Sequence, residues 1–460
     1  MLTLVDRTNR RQFLQIGSLA LGGLSLPGLL AAKAQASDAR LVTDKSVIFL
    51  FMHGGPPQTE MFDPKMTAPD GVRSSTGEIS TSLPGVTYGS TLTKLARLAH
   101  KTTVVRSFQP GDGNHDIKPI VGRDTAGANL GSLYSRIGGG NHPQSGMPRN
   151  VVLFPRAVEP AAQSGVMNFG RFDAVGSIGG AYAPFVPGGE GEFQRDLKLG
   201  LDRARFDDRR TLLARLDGLR RRLDRRHDWK NLDHAQQQAF DTILGGVADA
   251  FDLSREDART IARYDTAPLL NQAAIDKKWN NHKNYADHGQ TLGKLLLLAR
   301  RLCEGGAGFV TVTTSFVWDF HADVNNAPVA EGMRYCGAPF DHAVSALVED
   351  LELRGLSDKI LLVCCGEMGR SPKLNAAGGR DHWGGLGPLL LYGGGLKQGR
   401  VIGASNSDAS APAGQPVTIP NLVATVLHTL VDMGQLRVAR GMPTDLQRIA
   451  ANYEPIRELF

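Results

Sequence analysis

The stretch "SVIFLFM", Ser46 to Met52, is apolar at every position after its first. A strand open to water on one face alternates apolar and polar side chains. A continuous β-branched and aromatic run therefore describes a strand covered on both faces. Comparable runs recur as "TVVRSF", "NVVLFP", "GFVTVTTSF", "KILLVCC" and "GPLLLYGG", with helical patterns such as "FDHAVSALVEDLELRG" and "NLVATVLHTLVDMG" among the later ones. Doubly covered strands alternating with helices predict an α/β fold, doubly wound around a mostly parallel central sheet.

Between Glu190 and Arg300 the texture changes. "RFDDRRTLLARLDGLRRRLDRRHD" sets leucines at helical spacing among many charges, and "HGQTLGKLLLLARRLCEGG" closes on Gly305-Gly306, as a helix end does. This reads as a helical insertion at about 190–300 in a single domain spanning 37–460. Its arginines are interleaved with aspartates, the pattern of a solvated helix face. Half of the chain's formal +6 charge also belongs to residues 1–36, so nothing in the balance calls for a nucleic-acid partner. The four cysteines have no metal-ribbon spacing; Cys364 and Cys365 are strand neighbours that must face opposite sides of the sheet, as core residues.

The first 36 residues read as an address. Arg10-Arg11 precedes Phe13-Leu14, an uncharged and mildly apolar stretch runs from Gln15 to Ala32, and Ala34-Gln35-Ala36 fits a cleavage site before Ser37. Gly22-Gly23 and Pro27 make it poor material for a permanent membrane span. The pattern is that of a twin-arginine export signal, with Asn9 in place of the usual hydroxyl residue before the arginines. Its partner is the twin-arginine translocase, and its destination is the periplasm or the exterior.

Ligands of open parallel sheets bind beyond the carboxyl ends of the strands, where loops converge. The residues after the predicted strands are His53; then Asp112, Asn114, His115 and Asp116; then Asp319, His321 and Asp323; then Glu367 and Arg370. The glycine-rich loop "AGGRDHWGG" adds Arg380, Asp381 and His382. Such Asp/Glu/His mixtures bind divalent ions, Zn²⁺, Mn²⁺, Mg²⁺ or Ca²⁺. Each piece alone is also readable as a capping acid or a hydrogen-bonded core histidine. A shared ion, with ligand bonds near 2 Å, requires His382 to lie within about 5 Å of Glu367 or of the Asp319/His321 pair.

The segments "FMHGGPPQTEMFDPK", "WDFH", "FDHAVSALVEDLELRGLSDKILLVCCGEMGRSPKLNAAGGRDHW" and "LLLYGGGLKQGRVIG" resemble the exported family called domain of unknown function 1501. That family is similar to sulfatases and to the wider alkaline-phosphatase superfamily. The resemblance implies metal ions at the carboxyl edge of an α/β sheet and cleavage of phosphate or sulfate esters. It implies metal binding by His53, Asp319, His321, Glu367, Asp381 and His382. Arg370 and Arg380 would steady an anionic oxygen, as guanidinium geometry allows, and His115 would be the acid/base group.

Departures are equally visible. No Cys-x-Pro-x-Arg motif is present, which excludes formylglycine chemistry, and Glu367 lacks the histidine that would follow it in an Asp-His pair. Ser107 is the only hydroxyl near the expected nucleophile position, and it falls too early. Two functions fit: a metal-dependent hydrolase of sulfate or phosphate esters, or a non-catalytic envelope binding or assembly protein on the same fold. For the export signal, replacing Arg10 and Arg11 by lysine is expected to leave an unprocessed precursor in the cytoplasm. Normal processing and export of that variant, followed by immunoblot of cell fractions, would overturn the assignment.

Overall fold

The computed structural model describes residues 41–188, Arg205 and residues 247–460. The export segment and most of the arginine-rich stretch lie outside these residues. Seven strands form the central sheet: β1 (Ser46–Phe51), β2 (Thr103–Val105), β3 (Asn150–Leu153), β4 (Phe309–Thr313), β5 (Ile360–Cys365), β8 (Leu389–Gly393) and β9 (Arg400–Ile402). Two further strands, β6 (Gly369–Leu374) and β7 (Arg380–Trp383), pair as a separate hairpin. The sheet order is β9-β2-β8-β5-β1-β4-β3, and every pairing is parallel except those of β8 with β2 and β5. The chain is thus a mixed α/β protein with a mostly parallel central sheet.

The continuous apolar strands do divide between two cores. Ile48, Leu50, Met52 and Cys364 pack on one side, and Val47, Phe49, Phe51 and Cys365 on the other. The two adjacent cysteines face opposite sides, and all four cysteines are buried thiols. Helices α2 (His282–Glu304) and α3 (Val329–Leu353) cover the first side through residues such as Leu295, Leu298 and Leu347. Helices α1 (Leu130–Gly138) and α4 (Ile419–Leu430) cover the second through Leu133, Val423 and Leu427. Each such buried side chain stabilises by about 1.5–3 kcal/mol. Among the described residues, no helix is long and apolar enough to cross a membrane.

The single reversed strand follows from its connection. Between Cys365 and Leu389 the chain makes no crossover helix; it builds the β6–β7 hairpin at the carboxyl edge and then runs straight back as β8. This corrects one expectation. The Arg-Asp-His-Trp cluster lies on strand β7, with Arg370 of β6 opposite His382, and the turn between the two strands is Asn375–Gly379. The glycines dominated the local pattern; the pairing strand upstream had no alternation to announce it.

One charged cluster ties the chain onto the helices after residue 246. Glu256 accepts from Arg300 at 2.7 Å, Arg301 at 3.0 Å and Arg354 at 3.0 Å. Burial opposes its ionisation, but the hydrogen bonds from Arg300 and Arg301 and the charge of Arg354 outweigh that and hold its carboxyl at about 2, against the usual 4.5. A depressed carboxyl stabilises the fold fully above the unfolded value and loses that contribution as pH falls toward the folded one. Glu256→Gln is therefore expected to cost about 1.5–3 kcal/mol at neutral pH. The gap in melting temperature between wild type and variant should close as pH drops from about 4.5 toward 2. A gap independent of pH would show that the charge on Glu256 is not what matters.

Candidate metal centre

Three loops and the hairpin bring their polar residues together at the carboxyl edge. His115 arrives after β2, Asp319 and His321 after β4, Glu367 after β5, and Asp381 and His382 on β7. Gly379 and Gly384 flank β7 where the hairpin lies directly on its neighbours. A Cβ at Gly379 would come within 2.1 Å of the His321 carbonyl oxygen, and one at Gly384 within 2.4 Å of the Asp112 backbone. Only glycine permits that approach. The spacing of these two glycines is thus what seats His382 beside the β4 and β2 loops.

The centre of the arrangement is one carboxylate oxygen. Asp319 Oδ1 lies 3.0 Å from His321 Nε2, 3.4 Å from His382 Nε2 and 3.5 Å from His115 Nε2. The four potential ligand atoms all lie within 4.8 Å of one another. Two of the three remaining imidazole nitrogens are held from outside: His115 Nδ1 by Glu367 Oε1 at 3.0 Å, and His321 Nδ1 by Asp381 Oδ1 at 3.3 Å. Glu367 is itself fixed by the Gly54 N–H at 2.9 Å. Carboxylates behind histidines are the usual device for presenting Nε2 to a cation. Asp319 Oδ2 accepts from the Asn326 amide at 3.1 Å, while Oδ1 accepts from the Arg370 guanidinium and faces the imidazoles.

The electrostatics are consistent with an assembled cation site. Burial opposes the charge on Asp319, but Arg370 and then the three imidazoles hold its carboxyl well below the usual range. Burial likewise works against protonation of His115, and Asp319 and Glu367 outweigh it, raising the imidazole. His321 is raised chiefly by Asp319. His382 Nε2 is buried and makes no hydrogen bond, although it points at the same oxygen. A buried polar atom without a partner is costly, and a bound ion would satisfy it. Three imidazoles and one carboxylate are a donor set suited to a borderline divalent ion. The chain therefore has a His/Asp cluster that could bind a metal.

The predicted residues fall into three groups. Asp319, His321 and His382 are in the cluster, and His382 meets the distance requirement through Asp319. His115, expected as a separate acid/base group, joins them through Nε2. Glu367 and Asp381 stand one step out, behind the histidines. His53 is not among the four: its ring sits in a cage of Phe51, Phe169, Phe172 and Phe316, its Nε2 is unpartnered, and burial lowers its pKa.

The two arginines require correction. Arg370 is fully buried, donating to the Gly54 carbonyl, to the Gly55 carbonyl at 2.8 Å, to the Arg380 carbonyl at 3.2 Å and to Asp319 Oδ1, with its fifth donor 3.3 Å from His321 Nε2. Arg380 is turned away from the cluster, onto Glu60 at 3.0 Å and the carbonyls of Ser371, Pro372, Val72 and Arg73. A buried guanidinium must satisfy its five donors, and here the protein takes them all. Neither is free to steady a ligand oxygen. Asn326 and Glu60 escaped the sequence reading because an asparagine in "DVNNAP" or an acid in "PPQTEM" carries no spacing signal; only the fold shows what each meets.

An α/β sheet with this cluster at its carboxyl edge defines a class of protein, and the family follows. Residues 44–460 match the model described as "Protein of unknown function (DUF1501)", and the chain belongs to that family. No curated protein matches the chain in sequence. Among solved structures it is similar to the PsFucS1 sulfatase from Pseudoalteromonas sp., at 12% identity over 86% of this chain and 69% of that one, with a TM-score of 0.36. It is also similar to the phosphonate monoester hydrolase SpPMH from Silicibacter pomeroyi, at 10% identity over 90% and 76%, TM-score 0.28. A third is the lipoteichoic acid synthase LtaP from Listeria monocytogenes, at 9% identity over 92% and 82%, TM-score 0.30. Superpositions this loose transfer neither an activity nor a residue correspondence.

Proposed function

We propose that this protein is an exported, metal-dependent hydrolase-like protein acting on sulfate or phosphate esters. The observation that carries the reading is the convergence of three imidazole Nε2 atoms on the single oxygen Asp319 Oδ1. In this reading His115, Asp319, His321 and His382 hold one divalent ion, with Zn²⁺ favoured over Ca²⁺ or Mg²⁺ by the three nitrogen donors. Such an ion supplies Lewis acidity toward an ester oxygen and lowers the pKa of water. Glu367 and Asp381 fix the tautomers of His115 and His321, and Asn326 fixes the rotamer of Asp319. Arg370 anchors Asp319 from beneath, and the twin arginines at the N-terminus carry the folded protein across the membrane.

A specific observation favours a second reading. Four protein donors on one ion form a closed set, which is how structural metal sites are built. Both arginines are consumed, and all four thiols lie in the core. The alternative is a non-catalytic envelope binding or assembly protein that keeps the ion for shape.

Protein purified without chelator is expected to carry about one metal ion per chain by elemental analysis, and His382→Ala to lose most of it while keeping its circular dichroism spectrum. Chromogenic phosphate or sulfate monoesters should be hydrolysed by the wild type and not by His382→Ala or Asp319→Asn. A full metal complement with no hydrolysis of either ester class supports the assembly reading. Absence of metal in the wild type rejects the hydrolase reading and leaves the non-catalytic one, without the ion.

A further inference from the structure

Beside the metal-ligand cluster stands an aromatic wall that the coordination chemistry does not use. Phe316 packs edge-on against His115, ring centroids 4.7 Å apart, and Phe169 stacks on Phe316 at 4.8 Å with 26° between the planes. Phe169 also lies 5.1 Å from the His115 ring. Phe316 is buried, but Phe169 leaves 40% of its surface exposed. One side of that phenyl ring rests on Phe316, His53 and His115, while the rest meets water beside a polar centre. It is stabilised when a second flat or apolar group covers it.

The charges around the cluster point the same way. Asp112, Asp116 and Asp381 are exposed beside it, since the backbone at Asp112 packs on Gly384 and Asp381 adjoins His382. Lys118 is committed to Asp112 at 2.9 Å and Asp116 at 2.6 Å, and Arg370 and Arg380 have no donor to spare. One divalent ion can compensate one anionic head. Additional negative groups on a ligand would instead meet the three carboxylates.

We propose that Phe169 is the platform for the organic part of the substrate, and that the site takes a single ester of an uncharged, ring-bearing alcohol or phenol rather than a polyanionic chain. This rests on the metal-centre reading above and adds to it the identity of the group carried by the ester. Phe169 is a specificity-determining residue: it touches the substrate's body and leaves the ester head to the metal centre.

Phenylphosphonate and methylphosphonate share an anionic head and differ by the ring, so their binding to the metal-loaded protein, measured by calorimetry, isolates the platform without requiring turnover. The wild type is expected to bind phenylphosphonate about two- to tenfold more tightly than methylphosphonate. Phe169→Ala, loaded with metal to the wild-type content, should bind the two phosphonates with equal affinity, and Phe169→Trp should keep the preference. Equal binding of the two by the wild type, or an undiminished preference in Phe169→Ala, overturns the proposal while leaving the metal centre standing. So does tighter binding of a sulfated disaccharide than of phenylphosphonate. If neither phosphonate binds wild type carrying its metal, the ester reading itself fails and this proposal with it.

Discussion

Asp319 carries its charge almost entirely out of water, and much of the carboxyl edge is arranged around that fact. A buried carboxylate without partners would cost several kcal/mol, so it must be surrounded by donors or cations. Here Asn326 takes one oxygen, and Arg370 and three imidazoles meet the other. Three of those partners are held in turn, Arg370 by the backbone of Gly54 and Gly55, His115 by Glu367, and His321 by Asp381. Removing the carboxylate would leave a buried guanidinium and three aligned nitrogens with nothing between them.

The sheet makes this convergence possible. Three parallel strands, β2, β4 and β5, deliver His115, Asp319 and Glu367 to the same edge simply because parallel strands share a direction. His382 needs a different device, since it belongs to no sheet strand. The hairpin supplies it by staying at the carboxyl edge after β5, and the antiparallel return of β8 is the consequence. The glycines around β7 let its backbone touch two other loops. Topology and local sequence thus act on the same few ångströms.

Much of this was legible in the sequence, and the reason is periodicity. Continuous apolar runs such as "SVIFLFM" state that both faces are covered, which is nearly the definition of a parallel α/β sheet. Strand ends then locate His115, Asp319 and His321 by rule. What remained illegible was direction. A sequence does not say that Arg380 turns inward to Glu60 or that Arg370 is spent on carbonyl oxygens, because a long flexible side chain reaches either way. Nor does it tell a ligand imidazole from an acid/base imidazole: His115 differs from either only in where Nε2 points. Asn326 and Phe169 lie in irregular segments, where neither a period of two nor one of 3.6 marks a residue as special.

The central claim is geometric, and anomalous diffraction from crystals grown with zinc tests it most directly. One strong peak is expected about 2.0–2.2 Å from the Nε2 atoms of His115, His321 and His382 and from Asp319 Oδ1, with Glu367 and Asp381 still behind their histidines. A peak elsewhere on the protein, or no peak with those four side chains well ordered, would contradict the account.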